Sequence, residues 1–524
     1  MKDTARKLSE TIPLEEAAGQ TLLPTDRGYS AEDLRKLIRK CRPGGLFVRD
    51  YRRDNAEVLV PMRNESEIPL LFAADMEYLR GAGRGTLPPQ MAAAAARSPE
   101  WAQKRAFLLG REARALGNDW LFQPVLDLNG NPASPEMNVR TYGDDPELVR
   151  AMVLAHLRGL RDAGIAATGK HFPGAGMDDR DQHICTTVNP LSVEAWLESY
   201  GKVWRAAIEA GLETVMPGHI SFPAWCGESE SDAMPATLEP RLLRDLLRGE
   251  LGFEGVIVSD AASMGGITSR CPPERCAVEF LKAGGDVFLY ADPERDFCRI
   301  LEAVRRGDLS EERLRDAAYR VLRLKEMLRA GERSAPALSE AELAEDDRFF
   351  DRLAEASATV VRGSEYFPLR LAPGARLLTV SIRWPDADES RAPDLPLVDE
   401  LLRREGFAVD HRVNPPHAEL CADADRYDAI FVNVMTFPHA LFGTMRMLGP
   451  MLMPFWRSFY SGRKNVVFTS FGSPYLLHEQ PHWQNLLVLY SPSPAAQRAA
   501  VKVWLGKCRA TGRLPVSLSG RSFL

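Results

Sequence analysis

DDPELVRAMVLAHLRGLRDAG, residues 144–164, and the AATGKH that follows at 166–171 form one unit of a repeating plan. Asp145 suits a helix N-cap, Pro146 the first turn and Gly164 the exit. Val149, Val153, Leu157 and Leu160 recur at helical spacing and predict a face packed against a sheet. His156 falls inside that pattern and reads as structural. The run after Gly164 is short and apolar and ends abruptly at Lys170–His171, as a buried strand does where it leaves the core.

Seven more runs of this kind fall before residue 334: QTLL (20–23), GGLFV (44–48), PLLFAAD (69–75), WLFQPV (120–125), ETVMP (213–217), GVIVSD (255–260) and DVFLYA (286–291). Most are separated by helix-length segments. The pattern predicts an α/β fold, a (β/α)8 TIM-like barrel over residues 1–334. Charge and proline accumulate in RAGERSAPALSEAELAEDDRFF (329–350), and residues 335–372 read as a linker. Beyond it, RLLTVSI, YDAIFVNV, NVVFTSFG and NLLVLYS alternate with helices expected near 396–406, 447–461 and 494–506. They predict a smaller open α/β domain over residues 373–524.

Two domains suit a chain of 524 residues, which exceeds what one hydrophobic core supports. A net charge of −6 offers no broad basic field and argues against nucleic acid as a partner. No window approaches the ~18 apolar residues of a membrane span. The start MKDTARKLSETIPLEEAAGQ lacks a signal-peptide core. The eight cysteines are dispersed without a CxxC pair, so neither a zinc site nor a disulfide framework is expected. These features predict a cytoplasmic protein with free thiols. Neither GxGxxG nor GxxxxGK[ST] occurs, and no cofactor is expected.

The active site of such a barrel lies at the C-terminal ends of its strands. There the sequence carries Asp75 and Glu77, Asp127, Lys170 and His171, His219, Ser259 and Asp260. The long loop KHFPGAGMDDRDQH (170–183) adds Asp178, Asp179, Asp181 and His183, with no cluster of metal-binding type. Polar residues at five strand ends are hard to explain as packing. Asp260 ends an apolar strand abruptly at a carboxylate and could cap a helix in the following AASMGGI. If the loop curls, Asp181 meets His183 and fixes its tautomer. Lys170, ending an apolar strand, must find anions or hydroxyls.

KHFPGAGMDDRDQH resembles the KHFPGHGxxxxDSH signature of glycoside hydrolase family 3, in its β-N-acetylhexosaminidase branch and two-domain type. PLLFAADMEY, QPVLDLNGNPASPEMNVRTYGDDPELV, MPATLEPRLLRDLLRGELGFEGVIVSDAASM and VKVWLGKCRATGRLPVSL are similar to further family segments, in the family's order. Ala175 stands where the signature has its second histidine, and Gln182 where it has serine. The resemblance implies Asp260 as nucleophile and His183 as acid/base with Asp181 as its partner. It implies Asp75, Arg84, Arg140, Lys170 and His171 as contacts to the non-reducing sugar. The loop's glycines would let the dyad swing in and out.

The activity so implied is retaining, exo-acting hydrolysis of β-linked N-acetylglucosamine from an oligosaccharide, without metal or cofactor. The acetamido sugar follows because the dyad loop accompanies N-acetylhexosamine substrates in the family, whereas its glucosidase branch takes its acid from a glutamate elsewhere. Three alternatives stay open: a β-N-acetylglucosaminide phosphorylase, a Schiff-base enzyme using Lys170 and a non-catalytic sugar-binding protein. The second domain is expected to supply no acid or base, with His439, His478 and His482 structural or interface residues. Oligomeric state is not legible.

Overall fold

The computed structural model describes residues 4–49, 55–77, 85–384, 395–438, 441 and 443–519. Eight parallel strands open the chain: β1 (Leu22–Leu23), β2 (Gly45–Val48), β3 (Leu71–Ala74), β4 (Trp120–Leu121), β5 (Ala166–Phe172), β6 (Thr214–Pro217), β7 (Val256–Ile257) and β8 (Phe288–Leu289). Seven fall within runs that the sequence marks, and β5 extends one residue beyond its run, to Phe172. Strands β2 to β7 pair in order, and β1 pairs with β8. Single bridges, Thr25 to Phe47 and Val258 to Val287, join the two groups and close the barrel.

Helices cover the outside, so the strands are buried on both faces and read as unbroken apolar runs. All seven residues of β5 are buried. Inside the barrel the Trp120 indole N–H donates to the hydroxyls of Thr168 (2.7 Å) and Thr214 (2.9 Å), which satisfies the polar atoms of that layer. The helix Pro146–Asp162 forms as its sequence predicts. Asp145 accepts from the Glu147 N–H at 3.0 Å, and the four apolar residues of the stripe are buried. His156 is fully buried against the Tyr142 hydroxyl at 2.7 Å, and desolvation holds it well below its ordinary pKa.

The second sheet runs β9 (Thr359–Arg362), β14 (Leu486–Val488), β13 (Val466–Ser470), β12 (Ala429–Val434), β10 (Arg376–Ile382), β11 (Ala408–Val413), parallel except for β9. Residues 335–372, read as a linker, hold the helix Glu340–Ser357 and the edge strand β9. The helix expected near 447–461 is instead a short 3-10 run, Gly449–Phe455, because Pro454 inside the run denies an α-helix a hydrogen bond. β11 was not anticipated, since its half-exposed AVDHRV lacks the apolar run of its neighbours. The two domains touch near the barrel mouth, where the Asn138 amide donates to Ser473 Oγ at 3.0 Å.

No helix among the described residues is long and apolar enough to cross a membrane. All eight cysteines are unpaired.

Candidate active site

Five strand ends converge on one polar cluster. Lys170, on β5, is 1% exposed, and its ammonium lies 2.9 Å from Asp75 Oδ1 and 3.3 Å from Glu77 Oε2. Burial alone would lower the lysine's pKa; the two carboxylates more than reverse this and hold it charged. A Schiff base needs a neutral amine, so that alternative loses its chemical basis. Glu77 also takes a two-pronged ion pair from Arg140 (2.8 and 3.0 Å), and these cations keep its carboxyl ionised against the opposing effect of burial.

His171 is aimed by Asp127, which is fully buried. Asp127 accepts the imidazole Nδ1–H at 2.7 Å and the His171 backbone N–H at 3.1 Å. It also accepts the Ala175 N–H at 2.7 Å, so the loop is tied to the same carboxylate. Ala175 packs with Val125, Met137 and Ile220, and a small side chain suits that place. Gln182 is 1% exposed, and its Oε1 accepts the His219 N–H at 2.9 Å. Both departures from the signature therefore have structural work that keeps the loop in place. The expected swing of the loop finds no support in its glycines. A Cβ on Gly174 would meet the Tyr200 ring at 2.1 Å, and one on Gly176 the Leu128 carbonyl at 2.0 Å. These glycines allow close packing at positive φ.

The loop does curl. Asp181 Oδ1 accepts the His183 backbone N–H at 2.9 Å and its Nδ1–H at 2.6 Å. The dyad is seated against the segment that follows Asp260: Gly265 N–H donates to the His183 carbonyl at 2.8 Å, and Gly266 N–H to the Gln182 carbonyl at 3.1 Å. A third group, Glu136, lies with its Oε1 3.4 Å from His183 Nδ1. It is 6% exposed, and among the described residues that oxygen has no hydrogen-bond partner that meets full geometry. Desolvation alone would lower the His183 pKa, but Asp181 and Glu136 overcome it and raise it to about 10. The donor atoms of Glu136, Asp181 and His183 lie within 4.8 Å of one another, a spacing at which they could also hold a cation.

Asp260 lies just beyond β7. Among the described residues its Oδ1 accepts only the adjacent Ala261 N–H, at 2.7 Å, and the next helix begins at Gly265, so the carboxylate is no helix cap. Burial would raise its pKa; the imidazoles of His171 and His219 and the Ala261 N–H more than offset this and keep it ionised. His219 is fixed by Thr237 Oγ1 (3.0 Å) and the Ala261 carbonyl (3.1 Å), and burial lowers its pKa although Asp260 opposes this. Because a carbonyl only accepts, Nε2 carries the hydrogen.

Of the residues singled out from sequence, Asp75, Arg140, Lys170, His171, Asp181, His183 and Asp260 thus gather at one barrel mouth. Arg84 and His439 lie outside the described residues. Glu77 and Asp127 were visible as strand-end carboxylates but had no assigned partner. Glu136 was missed.

The model of the glycosyl hydrolase family 3 N-terminal domain matches residues 15–324. A β-N-acetylglucosaminidase/β-glucosidase of Cellulomonas fimi is 32% identical over 533 residues, spanning 96% of this chain and 93% of that protein. Among solved structures, a family 3 β-N-acetylglucosaminidase of Paenibacillus sp. str. FPU-7 superposes with a TM-score of 0.85 at 28% identity, covering 98% of this chain and all of that one. A β-glucoside phosphorylase bound to 2FGlc also scores 0.85, at 27% identity, with 98% and 96% covered. A closed barrel with ionisable groups gathered at its mouth, followed by a second α/β domain and matched end to end by such relatives, is an enzyme that belongs to glycoside hydrolase family 3.

Proposed function

We propose that the protein is a retaining, exo-acting glycosidase that removes β-linked N-acetylglucosamine from non-reducing ends. The observation that carries the reading is the pairing, at one barrel mouth, of an ionised Asp260 with a His183 that Asp181 holds as a proton donor. In the first step the free oxygen of Asp260 attacks the anomeric carbon. The bond to the leaving oxygen breaks, and His183 Nε2–H protonates that oxygen. In the second step the now neutral imidazole takes a proton from water, whose oxygen attacks the same carbon and releases Asp260. Asp75, Arg140, Lys170 and His171 hold the hydroxyls of the non-reducing sugar.

Water is favoured over phosphate as the acceptor by Glu136, whose negative charge 3.4 Å from the dyad opposes an incoming dianion. N-acetylglucosamine is favoured by the names of two relatives that align over nearly the whole chain. Eight unpaired thiols fit a reducing compartment, and a cytoplasmic enzyme recycling cell-wall or chitin-derived fragments is the corresponding role.

A fluorinated N-acetylglucosaminyl fluoride should label Asp260, read by peptide mass spectrometry; labelling confined to another carboxylate overturns the assignment. Reaction in phosphate buffer should yield free sugar, and a sugar 1-phosphate as the main product would favour the phosphorylase. The p-nitrophenyl N-acetylglucosaminide should exceed the glucoside in kcat/KM by on the order of tenfold or more, at least ~1.4 kcal/mol. A preference for the glucoside sinks the acetamido assignment and leaves the family standing.

A further inference from the structure

We propose that Leu441, on the second domain, is a positioning residue for the acid/base dyad, its backbone N–H fixing the Asp181 oxygen that the imidazole leaves unused. Asp181 Oδ1 takes both hydrogen bonds from His183, and Asp181 Oδ2 accepts the Leu441 N–H at 3.1 Å, from 260 residues further along the chain. A carboxylate held through both oxygens cannot rotate, so Oδ1 stays on Nδ1 while Nε2 faces the leaving group. The inference rests on the reading of His183 as proton donor.

Neither packing nor backbone preference accounts for Leu441. Its side chain is 66% exposed, although it is a large hydrophobe. Its φ of +74° lies in the left-handed region, which a bulky L-residue rarely adopts. Strain of this kind persists where the surroundings over-determine it, often at functional sites. What the conformation secures here is an N–H directed at a buried carboxylate. That N–H is also among the bonds that hold Asp181 ionised. Through Leu441 the second domain thus contributes geometry to the acid/base.

The test uses full-length variants and compares kcat/KM for a dinitrophenyl glycoside, which needs little protonation, with that for an alkyl glycoside, which needs it fully. Leu441→Pro removes the N–H and cannot adopt the required φ. An amide-to-ester exchange at 441, by incorporation of the α-hydroxy acid, removes the N–H and keeps the side chain, so it decides the matter should the proline variant not fold. Leu441→Gly keeps the N–H and suits the positive φ. The ester and proline variants should lose on the order of tenfold more on the alkyl glycoside than on the activated one, and the glycine variant should keep the parental ratio. An ester variant with the parental ratio overturns the proposal, as does a glycine variant as impaired as the proline one. His183→Ala, run in parallel, separates the two levels. If it leaves the ratio unchanged, the proton-donor reading itself fails; if it steepens the ratio while the ester variant does not, only the role of Leu441 fails.

Discussion

Replacing Glu136 with glutamine tests the electrostatics of the acid/base directly. The substitution keeps the size of a nearly buried side chain and removes a negative charge whose oxygen lies 3.4 Å from His183 Nδ1. Two unit charges about 4 Å apart at an effective dielectric of 20 interact by about 4 kcal/mol, an upper bound here. His183 is 27% exposed and Asp181, at 2.6 Å, keeps its own hold. A fall of about 1 to 2 in the pKa is therefore expected, roughly 1.4–2.7 kcal/mol. The sign follows from the active form. Donation requires imidazolium, so a pKa raised to about 10 keeps kcat/KM for a poor leaving group high until the pH passes that value. In the Glu136→Gln variant the basic limb should fall between about 8 and 9, with the acidic limb, set by Asp260, in place. Deglycosylation needs the neutral ring. With an activated substrate that makes this step limiting, kcat near pH 7 should therefore rise in the variant. The measurements are pH profiles of kcat/KM for an alkyl glycoside and of kcat for a dinitrophenyl glycoside. A basic limb that stays near 10 in the variant, or a parental limb already near the ordinary histidine value, refutes the electrostatic argument.

His183→Ala should impair alkyl glycosides far more than dinitrophenyl glycosides, by about 100-fold or more in the ratio of kcat/KM, and Asp181→Asn should follow the same trend more mildly; equal losses across leaving groups refute both. Lys170→Met leaves the buried Glu77 facing an apolar side chain, with Arg140 still neutralising it and the part-exposed Asp75 open to solvent, so a loss near the lower end of ~3–5 kcal/mol is expected in urea unfolding, together with a raised KM. His478→Ala and His482→Ala should leave the dependence on leaving group unchanged, since neither carries the acid or base.

What the sequence discloses and what it conceals divide along the range of the interactions. Strands buried on both faces become apolar runs, and all eight barrel strands were legible because burial imposes composition locally. Lys170, His171 and Asp260 stood out for the converse reason, as polar residues that end such runs where a barrel opens. The curl of Asp181 onto His183 was legible as a two-residue spacing. Partners drawn from other strands were not. Asp127 holds His171, and Glu77 joins Lys170 to Arg140, across distances that only the closed barrel brings together. Glu136 lies in NGNPASPEMN, where nothing in the neighbouring residues distinguishes a carboxylate facing a histidine from one facing water. Leu441 is harder still, because its contribution is a backbone N–H that every residue but proline carries. Its identity is therefore free to vary where its conformation is not, and the electrostatics of an acid/base fixed from two domains follow from the fold rather than from the motif that announces it.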